Sequence, residues 1–205
     1  MRATVYFVVE VKDDYNNEVE LSNGIKLAVN NSLDSVEHIN RVGKLIDAPK
    51  DSNAKKGDML IFHHNICRRS WGLRDKGSDS KVGKKRKSSF YIKEGIYYIP
   101  VTEIFMIKRE GEADWEAIDP YVFVKPLEAK MRTLPNGFEV MEDSYKEMKN
   151  LVATISYPSK ALQAAGVDKG DLVAFQEDSE FEFEIGGETH YRMVTNDILA
   201  VYERP

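Results

Sequence analysis

Lys56-Gly-Asp-Met-Leu-Ile-Phe62 recurs 113 residues further along the chain as Lys169-Gly-Asp-Leu-Val-Ala-Phe175. Two more pairs share that offset: Val9-Glu-Val-Lys12 with Val122-Phe-Val-Lys125, and Asn23-Gly-Ile-Lys-Leu27 with Asn136-Gly-Phe-Glu-Val140. Three blocks in one order at one spacing indicate a tandem duplication of a small domain. The sequence therefore predicts two copies of one fold within its 205 residues.

The offset becomes shorter towards the end of each copy. Thr102-Glu-Ile-Phe-Met-Ile107 matches Asn196-Asp-Ile-Leu-Ala-Val201 at an offset of 94, so the first copy carries 19 extra residues. We predict a first domain at 1–110, a linker at 111–119 that is acidic and contains Gly111, and a second domain at 120–205. The extra residues fall between Phe62 and Ile99 and include a basic insertion, 68–87.

Composition describes an ordinary globular chain. The net charge is -5 and 31% of the residues are charged, so nothing global indicates a nucleic-acid-binding protein. A single cysteine, Cys67, cannot form an internal disulfide, which fits a reducing compartment. No signal peptide and no apolar run of about 18 residues is visible, so we expect no membrane association and a cytoplasmic location.

Short apolar runs separated by polar turns predict an all-β fold. The predicted strands are Thr4–Lys12, Arg41–Ile46, Met59–Phe62, Gly95–Val101 and Ile104–Ile107 in the first copy, and Tyr121–Lys125, Leu151–Ser156, Leu172–Phe175, Tyr191–Val194 and Ile198–Tyr202 in the second. Ala161–Ala165 is the one predicted helical turn. Short strands of this kind favour two tandem, partly open antiparallel β-barrels.

A polar stretch precedes an apolar-charged-apolar tripeptide in each copy. In the first copy, residues 13–22 are polar and lead through Gly24 to Ile25, Lys26 and Leu27. In extended backbone Ile25 and Leu27 share one face, while Lys26 points away. The second copy repeats this pattern with a turn glycine and the tripeptide Gly137, Phe138, Glu139 and Val140. From the residues alone, each tripeptide also fits half of a buried edge strand.

The order of these motifs resembles the GroES-like co-chaperonin family. The closest passages are Asp168-Lys-Gly-Asp-Leu-Val-Ala-Phe175 and Thr195-Asn-Asp-Ile-Leu-Ala-Val-Tyr-Glu203, and the resemblance covers nearly all of both copies except the insertion. It implies a β-barrel whose mobile loop, hinged at Gly24 or Gly137, places its tripeptide in a groove of a ring chaperonin. It also implies a homo-oligomeric ring that caps a folding chamber for an unfolded client, while the chaperonin supplies the ATP site.

The chain departs from the common family pattern in three ways. It has two domains, as in the double-domain co-chaperonin of chloroplasts, but no visible transit peptide. The segments where the family often has a roof hairpin, Asp47–Ala54 and Pro158–Gly166, lack paired-strand character. Loss of a roof resembles phage-encoded co-chaperonins, which would place this protein in a host cytoplasm.

The basic insertion contains nine Lys or Arg residues and only two acids, Asp75 and Asp79, giving +7 within a chain of -5. Its basic residues include Arg68, Arg69, Arg74, Lys81, Lys84, Lys85, Arg86 and Lys87. A solvated loop that balances an acidic body is the simplest interpretation. Contact with a chaperonin, a client or a neighbouring subunit remains open, and nucleic acid is the less favoured alternative.

The other candidate residues predict neither a metal site nor a catalytic site. His63, His64 and Cys67 suggest zinc, but adjacent histidines on a strand would point to opposite faces, so we predict no metal site. Asp58 and Asp171 lie in turns, where a short carboxylate bonds local backbone amides. We therefore expect a non-enzymatic co-chaperonin without a cofactor. The alternative is a GroES-fold scaffold or assembly factor whose basic loop binds nucleic acid or an acidic protein.

Overall fold

The computed structural model describes residues 3–12, 18–20, 24–28, 39, 41–68, 70–71, 85–127, 131–133, 139–141 and 151–202. The chain divides into two compact units, Met1–Trp115 and Glu116–Pro205. The division falls inside the segment 111–119 that the sequence marks as a linker. The predicted all-β fold is confirmed, because antiparallel strands dominate both units.

Unit 1 contains the first ten strands of the described chain. They are β1 (Phe7–Glu10), β2 (Glu18–Glu20), β3 (Lys26–Ala28), β4 (Val42–Asp47), β5 (Met59–Phe62), β6 (Ser70–Trp71), β7 (Lys85–Arg86), β8 (Tyr91–Lys93), β9 (Ile96–Ile99) and β10 (Ile104–Lys108). Two 3-10 helices, His64–Ile66 and Val101–Glu103, connect them. Six strands of this unit follow one another in its main sheet in the order β10-β5-β4-β1-β9-β8.

Unit 2 contains the remaining strands. They are β11 (Glu116–Ala117), β12 (Tyr121–Pro126), β13 (Met131–Thr133), β14 (Glu139–Met141), β15 (Val152–Tyr157), β16 (Leu172–Phe175), β17 (Phe181–Ile185), β18 (Glu188–Val194) and β19 (Ile198–Val201). A short helix, α1 (Lys160–Ala164), and a 3-10 helix, Thr195–Asp197, complete it. Its six-stranded sheet has the order β19-β16-β15-β12-β18-β17, which repeats the order of unit 1 strand for strand.

Hydrogen bonding around the Lys-Gly-Asp turns repeats closely. The amide of Gly57 donates to the carbonyl of Leu45 at 2.9 Å, and the amide of Gly170 donates to the carbonyl of Ile155 at 2.8 Å. Both glycines have positive φ, 105° and 93°, a region that a residue with a Cβ rarely adopts. The repeated tripeptide is therefore explained by one turn geometry used twice.

The first repeated block has a different register from the one that the sequence alignment predicts. Val9 pairs with Leu45 and Tyr97 on its two sides, and Val124 pairs with Ile155 and Tyr191. Val9 therefore corresponds to Val124, at an offset of 115, and the predicted match to Val122 is wrong by two residues. Because side chains alternate along a strand, a shift of two keeps the same face inward and leaves the apolar pattern intact.

Each unit buries its own apolar side chains. In unit 1 the central strands carry fully buried side chains, among them Val9, Leu60 and Phe62 at 0% exposure. The core of unit 2 is formed by Val122, Val124, Ala153, Ile155, Leu162, Val167, Val173, Phe175 and Met193. Removing this apolar surface from water is the main stabilising contribution in both units.

Several predicted boundaries differ from the observed ones. The first strand begins at Phe7 rather than Thr4, because residues 4–6 form bends, and the preceding Ala3 amide donates to Asp47 Oδ2 at 2.6 Å. The helical turn is found at Lys160–Ala164, where Ser159 Oγ accepts from the Leu162 amide and caps it. Strands β8 and β17, which pair with β9 and β18 as hairpins, were absent from the prediction.

Candidate docking surfaces

A small two-stranded sheet carries the tripeptide of the first copy. Strand β2 pairs with β3, so that Val19 lies opposite Leu27 and Glu20 lies opposite Lys26. Ile25 directly precedes β3 and is 54% exposed, which makes it one of the most exposed large apolar side chains in the described chain. Gly24 has φ 77° and open space around it, as a turn into the strand requires.

The second copy places its tripeptide in an equivalent hairpin. Strand β13 pairs with β14, so that Arg132 lies opposite Val140 and Thr133 lies opposite Glu139. Val140 thus corresponds to Leu27 and Glu139 to Lys26, at the predicted offset of 113. The predicted residues Gly137 and Phe138 lie outside the described residues.

The hairpins refine the predicted loops. The sequence predicts an unpaired polar stretch over 13–22, whereas Glu18–Glu20 forms a strand. Its alternating Glu-Val-Glu pattern suits a strand with one apolar position, and the backbone pairing places Val19 opposite Leu27. An isolated two-stranded sheet is only marginally stable in water.

Asp58 holds the first Lys-Gly-Asp turn together. Its side chain is 3% exposed and accepts hydrogen bonds from the Lys55 amide at 2.9 Å, the Glu110 amide at 3.1 Å and Arg109 Nη1 at 3.1 Å. Burial raises the pKa of Asp58, but these hydrogen bonds and the adjacent guanidinium outweigh it and leave the pKa below its usual value.

The second turn repeats this bond: Asp171 Oδ2 accepts from the Asp168 amide at 2.8 Å. These bonds confirm the predicted turn role of Asp58 and Asp171. A polar cavity of about 460 Å³ adjoins the first turn and is lined by Asn53, Lys55, Lys56, Asp58, Arg109, Glu110 and Glu112. Its lining mixes both charge signs, and the Asp58 carboxylate is already engaged by its three donors, so the cavity selects neither a cation nor an anion.

The two adjacent histidines are arranged differently from the prediction. His63 and His64 begin a 3-10 helix instead of extending a strand, and their ring centroids lie 4.2 Å apart, so the predicted opposite orientation is wrong. His63 Nδ1 accepts from the Asn65 amide at 3.1 Å and caps this helix. Cys67 is fully buried. The described residues include no group of three or more His, Cys, Asp or Glu side chains that would hold a metal ion.

The basic insertion begins and ends in paired backbone. Ser70 lies opposite Arg86 and Trp71 lies opposite Lys85, so β6 and β7 join its two ends. Arg68 and Lys87 are exposed beside this pair, and Lys87 Nζ lies 5.1 Å from the centroid of the Tyr91 ring. Of the other predicted basic residues, Arg69, Arg74, Lys81 and Lys84 lie outside the described residues.

Strand β19 forms an exposed apolar edge that the sequence prediction did not single out as a surface. Leu199, Val201 and Tyr202 are 63%, 41% and 45% exposed. In the sheet order of unit 2, β19 is terminal, and no described strand of this sheet pairs with its far side. An uncovered apolar edge is a common template for another chain.

No protein-family model matches the chain, and no curated protein matches it. Support for a function therefore comes from the duplicated architecture and from the exposed surfaces. Among the helices of the described residues, none combines the length and apolar character needed to cross a membrane.

Proposed function

We propose that this chain is a non-enzymatic, tandem GroES-like co-chaperonin that docks on a ring chaperonin through the hairpins β2–β3 and β13–β14. The observation that carries the proposal is the repetition of one hairpin at one place in two units of identical strand order. Both tripeptides, Ile25–Leu27 and Phe138–Val140, belong to these equivalent positions. In the first copy the apolar Ile25 beside the hairpin is 54% exposed.

The exposure of Ile25 supports docking in physical terms. Its apolar side chain faces solvent, and burying a side chain of this size in a partner's groove contributes about 1.5–3 kcal/mol. A contact of that size is weak alone. When several arms belong to one assembly, the later contacts form at high effective concentration and the total affinity rises steeply.

The proposal includes assembly of several copies into a cap over a client-folding chamber. The uncovered edge of β19 supports it, because another copy of the chain would remove Leu199 and Val201 from water. Closure of each sheet into a partly open barrel and a cytoplasmic location, or a host cytoplasm for a viral protein, belong to the same proposal. ATP hydrolysis is assigned to the chaperonin.

Capture by a ring chaperonin with nucleotide tests the docking. We expect Ile25→Asp/Leu27→Asp and Phe138→Asp/Val140→Asp each to weaken capture at least tenfold, since a carboxylate in an apolar groove is costly. Val101→Asp is the matched control, because Val101 is 56% exposed but lies outside both hairpins. Capture that is unchanged in both double variants would refute chaperonin docking.

The same capture experiment distinguishes a co-chaperonin from the alternative, a scaffold whose basic loop binds nucleic acid or an acidic protein. Replacing 72–84 by a short Gly-Ser linker keeps the β6–β7 pair and removes four of the nine basic residues of the insertion, Arg74, Lys76, Lys81 and Lys84. A co-chaperonin keeps chaperonin capture after this change. A scaffold would instead lose a salt-sensitive interaction with RNA, DNA or an acidic protein.

A further inference from the structure

The two units carry different side chains at the position that directly follows their repeated buried strand. His63 follows β5 in unit 1, and Gln176 follows β16 in unit 2. The backbone is the same at both positions. The His63 amide donates to the Glu103 carbonyl at 2.9 Å, and the Gln176 amide donates to the Asp197 carbonyl at 2.8 Å. Unit 1 therefore has a titratable ring where unit 2 has a neutral amide.

The carboxylates beside this position are also used differently. In unit 2, Asp197 Oδ2 accepts from a backbone amide at the start of its own 3-10 helix at 2.9 Å. In unit 1, Glu103 Oε2 lies 3.9 Å from His63 Nδ1, and both side chains are partly exposed. The His64 ring stacks on the His63 ring, and their centroids are 4.2 Å apart. Two titratable side chains, Glu103 and His64, thus face His63.

His63 Nδ1 has two partners that require opposite protonation states. It accepts from the Asn65 amide at 3.1 Å and so caps the 3-10 helix His64–Ile66. This bond needs the lone pair of Nδ1, so the single proton of the neutral ring lies on Nε2. A second proton, taken from solvent, converts Nδ1 into a donor, for which Glu103 Oε2 is an acceptor on the same side of the ring. The cap and the ion pair are therefore mutually exclusive.

The capped helix is bonded to both ends of the basic insertion. The Arg68 amide donates to the His64 carbonyl at 3.1 Å, at the first residue of the insertion. Ser88 Oγ, directly after the last residue of the insertion, donates to the Ile66 carbonyl. A change in this helix therefore acts on the residues that anchor the insertion to unit 1.

We propose that His63 is a pH-dependent cap: uptake of a proton exchanges its bond to the Asn65 amide for an ion pair with Glu103 and loosens the helix that anchors the insertion. An ordinary imidazole changes charge between about pH 5 and pH 8. The neutral ring keeps the cap, and the charged ring gives it up. Gln176 has no charge to change, so unit 2 lacks this response. The switch does not depend on chaperonin docking, and its test contains no chaperonin.

Amide hydrogen exchange, resolved by NMR on the full chain, tests the switch. Each rate is compared with the intrinsic rate at the same pH, between about pH 8 and pH 5. We expect protection of the Asn65 amide to fall about fivefold towards the lower pH, the size of effect that a lost helix cap produces. The amide of Gln176 is the internal control and should keep its protection. Nitrogen spectra of His63 should show the proton on Nε2 alone at the higher pH and on both nitrogens at the lower pH.

Four variants assign the response to His63. His63→Asn supplies a side-chain oxygen that caps without titrating, so protection of Asn65 should stay high at both pH values. His63→Ala removes the cap, so protection should be low at both. Glu103→Gln removes the charge that favours the protonated ring, and the fall should move to lower pH. His64→Gln is the matched control for the neighbouring ring and should retain the fall. Circular dichroism and thermal unfolding verify the fold of each variant.

Four results would overturn the proposal. The first is constant protection of the Asn65 amide in the wild type, and the second is a proton on His63 Nδ1 at the higher pH. A fall that persists in His63→Asn would assign the response to another group. An equal fall at Gln176 would mean that the whole chain loosens.

Discussion

Strands β10 and β19 each pair with the equivalent neighbour, β5 or β16, but their side chains have opposite surroundings. In unit 1, Phe105 and Ile107 of β10 are 2% and 5% exposed, whereas the corresponding Leu199 and Val201 of β19 are 63% and 41% exposed. Both strands pair with their neighbour with a register shift at the same place. The duplication has therefore preserved hydrogen-bond register while the environment of the strand has diverged.

The difference in exposure between β10 and β19 identifies a surface of unit 2 where a partner chain would bind. An apolar side chain that is buried in one copy and exposed in the other marks a surface whose covering is missing from the described chain. In unit 2 the apolar edge of β19 is such a surface, and β17 is a second terminal strand of the same sheet. Two uncovered sheet edges in one unit favour assembly with further chains.

Truncation of matched residues in the last strands tests the contrast with the largest effect. Phe105→Ala is expected to lower the free energy of unfolding by about 3–5 kcal/mol, because it leaves a cavity in a packed core. Leu199→Ala is expected to change it by less than about 0.5 kcal/mol under conditions without association. Urea denaturation measures both. Equal losses would show that β19 is covered within its own chain.

The second-largest loss of stability is expected on substitution of Asp58 in the first Lys-Gly-Asp turn. Asp58→Asn is expected to cost about 1.5–3 kcal/mol at pH 7, since a charge-assisted bond to Arg109 is lost in a buried site. Because the folded pKa of Asp58 is lowered, its contribution is complete above the ordinary Asp pKa of about 3.9 and disappears as the pH falls through the lower folded value.

Denaturation from pH 7 down to about pH 2 checks this sign, since the wild type and Asp58→Asn should converge at the acid end. Asp51→Asn, at an exposed position of the same connection, is the control and should leave stability unchanged. A gap between wild type and variant that widens on acidification would contradict the assigned pKa direction.

A matched pair of small residues gives a moderate effect. Gly43 in β4 corresponds to Ala153 in β15, and a Cβ on Gly43 would lie 2.3 Å from Val9 Cγ1. Gly43→Ala is therefore expected to destabilise unit 1 by about 1–3 kcal/mol through overpacking. Ala153→Gly is expected to cost about 0.5–1 kcal/mol through added backbone entropy. A Gly43→Ala variant that is more stable than the wild type in thermal denaturation would show that the core of unit 1 has room for a Cβ at this position.

Exchange of an aromatic for a cation gives the smallest expected effect. Tyr98 lies between Tyr6 and Phe90 with ring centroids 5.3 and 5.6 Å away, and the corresponding Arg192 lies 5.3 Å from both the Tyr121 and Phe181 rings. Arg192→Ala is expected to cost about 1–2 kcal/mol from two partly buried cation–π contacts.

Arg192→Tyr restores the stacking found in unit 1 and should cost less than half of the loss caused by Arg192→Ala. Thermal denaturation of the two variants measures that rescue. An alanine variant as stable as the wild type would mean that the stacked guanidinium contributes nothing.

Sequence reasoning was most accurate where a buried run met a turn with one possible geometry. Met59–Phe62 and Leu172–Phe175 were predicted with the observed bounds, because a positive-φ glycine fixes where each strand begins. Strand β17 was missed, since Phe-Glu alternation in an acidic stretch gives a weak apolar signal. The two-residue shift of β1 was invisible, because an even shift preserves the inward face.

Pairing across strands also explains what the sequence left open at the candidate site. The position of Ile25 beside a hairpin depends on the backbone pairing of Val19 with Leu27, and a pairing between residues six to ten positions apart leaves only faint traces in composition. The contrast between exposed β19 and buried β10 depends on long-range covering, which two nearly identical sequence patterns do not reveal.

Hydrogen–deuterium exchange, measured on this protein alone and mixed with a ring chaperonin and nucleotide, tests most directly whether the hairpins β2–β3 and β13–β14 dock on the chaperonin. The docking account predicts that amides of 24–28 and 137–141 become strongly protected on binding, while those of β5 and β16 keep their exchange rates. Protection confined to other surfaces, with both hairpins exchanging as they do in the free protein, would contradict it.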